Sequence, residues 1–238
     1  MNHFTFSALL ASLFSFLASL SLFFLITSNV RIKRIMCLYW FSIGFWAFFV
    51  GTQSVTISFL SSFWWGWLLI LGCTFIPVFF FHLSLVITKQ ENTTAKRMLI
   101  GSYWVTVAFN IFNLLTAFFT GEIVYRDMYA YPKPAFLFIF YFLLFDLLIL
   151  WGTLLLLRYL RRLTTEKQKC LKLFLITHVL AYCGGMDNFL IMVDVRIPPL
   201  YPYGLYVIPF YALATIYVAY RLFGCEIPRT GEAAGLAN

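Results

Sequence analysis

The stretch GGMDNFLIMVDVRIPPLYPYG (Gly184–Gly204) holds two acids, an arginine, three prolines and two tyrosines, and it joins two very apolar runs, 173–193 and 203–222. Each run is close to the roughly 20 residues that a helix needs to cross a bilayer. Polar, proline-rich chemistry between two such runs reads as the turn between two membrane spans. Five more runs of this kind precede it, at 4–28, 35–57, 66–88, 98–118 and 135–157. The expectation is therefore an all-α, polytopic bundle of seven transmembrane helices over residues 1–222, with a short tail at 223–238.

Composition agrees with that reading. Hydrophobic residues make up 62% of the chain, aromatic residues 21% and charged residues 11%, against about 25% charged in soluble domains. The net charge of +8 does not point to nucleic acid, because a bilayer protein gathers Lys and Arg in its cytoplasmic loops. The breaks RIKR (31–34), KQENTTAKR (89–97), RYLRRLTTEKQKCLK (158–172) and the tail from Arg221 carry fourteen basic residues. The alternate breaks SSFWWG (61–66), GEIVYRDMYAYPKPA (121–135) and DVRIPPLYP (194–202) carry Arg126, Lys133 and Arg196. This asymmetry puts the N-terminus outside and the C-terminus in the cytoplasm. The first run lacks a basic lead and a small-residue cleavage site, so it reads as a retained helix. Its Ser7, Ala11, Ser15 and Ser19, spaced by four, form a stripe that admits a close neighbour.

Of five cysteines, Cys37, Cys73 and Cys183 fall within spans and Cys170 and Cys225 on the basic side, which leaves no pair for an outer disulfide and favours a role as small buried hydrophobes. Trp64, Trp65 and Trp67, with Tyr125, Tyr129, Tyr131, Tyr201 and Tyr203, sit at outer span ends and read as an aromatic belt. Pro77 and Pro209 interrupt the backbone bonding of the third and seventh spans.

Ionisable residues within spans are costly and mark candidate functional positions. They are His82, Asp146, His178 and Asp187, the last beside Asn188. A zinc-dependent hydrolase would want about three histidines with an acid, and His3 lies across the bilayer from the other two, so neither metal nor cofactor is expected. A retinal protein needs a lysine in its last span, and YGLYVIPFYALATIYVAYRL has none. The plain reading has His82 and His178 hydrogen-bonding to neighbouring helices and Asp146 kept neutral or paired with an Asn or Tyr.

With WFSIGFWAF in the second span, FIPVFFFHLSL in the third and YPKPAFLFIFYF leading into the fifth, the chain resembles the seven-transmembrane N-terminal sensor region of bacterial membrane histidine kinases. EKQKCLKLFLITHVLAYCGGMDNFL, then IPPLYPYG, then YVAYRLFGCEI are similar to that family's lead-in, turn and closing motifs, and their order and spacing carry the resemblance. It implies a non-catalytic input module of two-component signal transduction in the bacterial inner (cytoplasmic) membrane, passing a small-molecule or physical stimulus through the seventh helix to a cytoplasmic output. The residues after Arg221 are too few for kinase domains, so the expectation is either a stand-alone receptor acting on a separate kinase or another cytoplasmic protein, or the input half of a kinase whose gene is split or truncated, with a homodimer expected if a kinase is the partner. Tyr125, Arg126, Asp127, Asp194, Arg196 and Tyr201 are expected to cap a cavity reaching toward Asp187 and Asp146. The alternative is a small transporter or channel subunit that uses its polar residues at mid-membrane depth, although no repeat of three spans supports it.

Overall fold

The computed structural model describes residues 3–27, 29–90, 92–116, 120–126, 129–192 and 204–223. Among them, seven helices are long and apolar enough to cross a membrane. These helices are α1 (His3–Leu25), α2 (Val30–Gly51), α3 (Gln53–Thr88), α4 (Thr93–Leu115), α5 (Phe136–Leu160), α6 (Thr165–Met192) and α7 (Gly204–Phe223). A hairpin of β1 (Thr120–Arg126) and β2 (Tyr129–Pro134) stands between α4 and α5. The fold is thus helical and built for a bilayer.

Four helices, α2, α3, α4 and α6, begin well before the apolar runs of their sequences, and capping explains two of them. Asn29 precedes α2 in an extended conformation, and its side chain accepts from the backbone N–H groups of Arg31 and Ile32 at 3.1 and 3.0 Å. Two otherwise orphaned donors are thereby satisfied, and RIKR becomes the first turn of α2. Asn92 does the same for α4, accepting from Ala95 N–H at 2.8 Å, so Lys96 and Arg97 are helical too. In α6 the helix starts at Thr165, and Glu166 pairs with Lys169 one turn on at 3.2 Å. Basic charge on these first turns blinds a hydropathy window to helix that continues beyond the membrane.

Two expected breaks differ more. SSFWWG is no loop: α3 runs through it, and Trp65 is fully buried with its indole N–H donating to the Phe49 carbonyl of α2 at 2.9 Å. Trp65 therefore packs the bundle rather than joining an aromatic belt, whereas Trp64 is exposed. GEIVYRDMYAYPKPA folds as the antiparallel hairpin, pairing Val124 with Tyr131 and Tyr125 with Ala130. Pro132 and Pro134 are tolerated because a two-stranded sheet has a free edge on each strand. The hairpin lies against α3, α5 and α6, tied down by Ala130 N–H donating to the Gln53 side chain at 2.8 Å.

Around the bundle the order of packing is α1, α2, α3, α5, α6, α7, with α7 closing against α1 and α4 seated outside on α3. Between lipid-exposed helices, close backbone approach and interhelical hydrogen bonds replace the hydrophobic effect as the force of association. Small residues of α1, Ser19 of the expected stripe and Ser12 outside it, supply both. Ser12 donates to the Gly44 carbonyl at 3.0 Å and Ser19 to the Cys37 carbonyl at 2.9 Å, while the Cys37 thiol donates back to the Ser19 carbonyl at 3.2 Å. Gly72 of α3 brings its backbone against α2 so closely that an added Cβ would stand 2.8 Å from the Trp46 nitrogen. Cys73 and Cys170 are buried, but Cys183 is exposed on α6 and so is not the buried hydrophobe expected of it.

Candidate functional site

Pro77 removes the N–H that would bond the carbonyl of Cys73 one turn earlier. The bundle repairs this from a neighbour: the Tyr141 hydroxyl of α5 donates to the Cys73 carbonyl at 3.2 Å, as freed backbone groups in membrane helices require. At this junction the helices do not close completely. A cavity of about 110 Å³ opens among α2, α3, α5, α6 and α7.

Its wall is aromatic and aliphatic, with a polar seam made by three side chains from three helices. Tyr211 of α7 is central, its hydroxyl lying 3.1 Å from that of Tyr39 on α2 and 3.2 Å from Nδ1 of His178 on α6. All three side chains are almost wholly buried, at 1%, 3% and 3% exposure. The imidazole is stacked face to face on Phe80 of α3, with 3.9 Å between ring centres and 6° between planes. His178 Nε2 is buried without a hydrogen-bond partner among the described residues. Met186, Gly185 and Phe189 continue the wall along α6.

Asp146 stands behind this wall on α5, half-buried, and accepts a short 2.5 Å hydrogen bond from the Tyr182 hydroxyl of α6. Tyr182 lies one turn beyond His178 with its ring nearly parallel to the imidazole, and it also lines the cavity. Asp146 and the cavity are therefore linked through one side chain. His82 belongs elsewhere. Phe80, two residues before it, faces His178, so His82 projects from the opposite side of α3, where Nδ1 meets the Tyr103 hydroxyl at 2.9 Å and Nε2 meets Arg31 at 3.4 Å. The two histidines stand at nearly one height on different interfaces. No group of three His, Cys, Asp or Glu side chains close enough to hold a metal occurs among the described residues.

The expected outer cap divides. Asp187 and Asn188 are in the last turns of α6, and Arg126 ends β1; their side chains, like that of Tyr125, are outside what is described. Asp127, Asp194, Arg196 and Tyr201 lie outside the described residues. What the structure does place is the base of the quoted loop: its two terminal glycines meet. A Cβ on Gly204 at the start of α7 would collide with the backbone carbonyl of Gly184 in α6. Gly184 and Gly204 thus let the two helices touch beside the cavity.

The sequence reading missed Tyr39, Tyr182 and Tyr211. A usable signal was present, because a tyrosine far from either end of a span has no headgroup zone to reach and needs a partner for its hydroxyl within the bundle.

Fold and site together define a multi-pass helical membrane protein with an internal, largely apolar cavity. No family model matches the chain, and no curated protein matches it.

Proposed function

We propose that this chain is a non-catalytic membrane sensor, an input module similar to the seven-transmembrane region of bacterial histidine kinases, set in the cytoplasmic membrane with its N-terminus outside and its C-terminus in the cytoplasm. The observation that carries this reading is the seam at Tyr211. One residue of α7 is hydrogen-bonded at once to α6 and α2 at the wall of the cavity, and the same helix leads on toward the C-terminal residues. Occupancy that alters those bonds alters how α7 is held. A ligand shifts such an equilibrium by its difference in affinity for the two arrangements and by nothing else. The basic turns at the other end of α7 fit the proposed orientation.

In-frame fusion of this chain to the catalytic half of a membrane histidine kinase provides a test. Autophosphorylation of the chimera in vesicles is expected to change severalfold with Tyr211→Phe, which removes the shared hydroxyl while keeping the ring. Equal autophosphorylation by parent and variant would contradict the reading. The transport alternative draws on Asp146, a carboxylate midway along a span and bonded to Tyr182. Proton flux in liposomes that vanishes with Asp146→Asn would favour that alternative over the sensor.

A further inference from the structure

The spans gather their basic residues at one end, and the helical register shows which way those side chains face. Residues four, seven or eleven apart return to one side of an α-helix. Arg34 of α2 thus shares a stripe with Leu38 and Phe41, Arg158 of α5 with Leu154 and Leu147, and Arg221 of α7 with Tyr217 and Phe210. Arg97 of α4 lines up with Trp104 in the same way, and Lys172 of α6 with Ile176 and Val179. All these apolar side chains are exposed, on faces that a membrane-spanning bundle turns to lipid. The five cations are exposed too, and each stands at the edge of the apolar run of its helix, the level at which hydrocarbon gives way to head groups. Other basic residues of the same helices sit on inward stripes. Lys33 of α2 is in line with the buried Trp40, and its ammonium lies over the Phe23 ring of α1, 5.0 Å from the centroid. Lys167 of α6 is in line with the buried Leu171, Phe174 and His178.

An excess of basic residues at one end sets topology whatever face they occupy. Their placement on lipid-facing stripes of five different helices is a separate property, and it surrounds the bundle with positive charge from α2 to α7. Long Lys and Arg stems lie along apolar surface while their charges reach the head groups. The one acid at this end among the described residues, Glu166, is paired with Lys169. We propose that Arg34, Arg97, Arg158, Lys172 and Arg221 form a collar that binds membrane lipids of net negative charge, those whose head-group phosphate carries no ammonium of its own. A zwitterionic lipid brings the same phosphate, but its cation offsets the attraction. Direction separates this partner from an acidic protein, which would dock end-on against Lys33 and Lys167 and not from the side. The collar goes beyond the sensor reading and does not depend on it.

The test uses the full chain in nanodiscs of equal parts phosphatidylglycerol and phosphatidylcholine, released into mild detergent at low salt, with the lipids that stay bound counted by native mass spectrometry. Phosphatidylglycerol is expected to be retained about fivefold over phosphatidylcholine, the equivalent of about 1 kcal/mol for a basic residue near an anionic surface. Arg34→Gln with Lys172→Gln is expected to release about two of the retained phosphatidylglycerol molecules, one for each cation. Lys33→Gln with Lys167→Gln removes the same charge from the same two helices and is expected to release none. Arg34→Lys with Lys172→Arg keeps the charges and is expected to keep the lipids, which separates loss of charge from damage to the helices. Arg158→Gln alone repeats the test on a third helix, with an expected loss of about one. Equal retention of the two lipids by the parent, equal losses from the two glutamine pairs, or loss confined to Lys33→Gln with Lys167→Gln would each overturn the collar. The last result would put the anion at the end of the bundle, where an acidic protein docks.

Discussion

Replacement of Tyr141 by Phe isolates the repair at Pro77. Tyr141 is 1% exposed, and its hydroxyl is the partner found for the Cys73 carbonyl that proline leaves free. At 3.2 Å the bond is at the long end of the normal range, and hydrogen bonds between membrane helices average about 0.6 kcal/mol with a maximum near 1.7. Stranding the carbonyl in an apolar interior adds to that loss, so Tyr141→Phe is expected to cost about 1–2 kcal/mol. In a Pro77→Ala background the alanine N–H returns to the Cys73 carbonyl, and the same change is expected to cost about 0.5 kcal/mol, the small residue of a hydroxyl that has lost its main acceptor. The double-mutant cycle then gives a coupling of about 1 kcal/mol, well above the scatter of about 0.3–0.5 kcal/mol for independent sites. Unfolding of the four proteins by SDS titration from mixed micelles measures it. Equal costs of Tyr141→Phe in the two backgrounds would refute the account of how α3 accommodates its proline.

Two glycines, one in α6 and one at the start of α7, are expected to respond in opposite directions. Gly185→Ala stabilises by about 0.5–1 kcal/mol, because an alanine in a helix interior restricts the unfolded chain and here meets nothing within 4 Å among the described residues. Gly204→Ala destabilises by about 1–3 kcal/mol, because its Cβ falls on the rigid Gly184 backbone; thermal unfolding in detergent reads both. Trp65→Phe loses the bond to Phe49 and leaves part of the buried indole's volume empty, at a cost of about 1–3 kcal/mol in the same assay. On the sensor reading, Asp146→Asn leaves passive proton flux through liposomes unchanged, and a drop to the level of empty liposomes would count against it.

Much of the fold was legible because a bilayer imposes a length and a polarity on each element. The seven runs stand out by apolar length alone, and the small stripe of α1 announces a tight pairing, realised through its Ser19 and through Ser12, which the spacing of four did not include. Helix ends were harder to read, since Asn29 and Asn92 extend α2 and α4 through residues whose charge mimics a loop. The hairpin was hidden by its prolines and by a strand too short to show a period. At the site, ionisable residues drew attention to His178 and Asp146, but their partners are tyrosines, whose mid-span positions look like ordinary aromatic filling until the helices are brought together. The Gly184–Gly204 contact escaped for the same reason: spacing along a chain does not reveal which backbones meet.

The central claim is that events in the cavity reach the far end of α7. Ala181→Leu imitates an occupant by enlarging a side chain of the cavity wall one turn beyond His178, and spin labels at Tyr220 in the last turn of α7 and at Val86 near the end of α3, on a cysteine-free background in nanodiscs, report the distance between the two ends. A sensor requires the distance distribution to shift between its populations when the cavity is filled. A distribution superimposable on that of the labelled parent, from a protein whose thermal unfolding shows the fold intact, would contradict the claim.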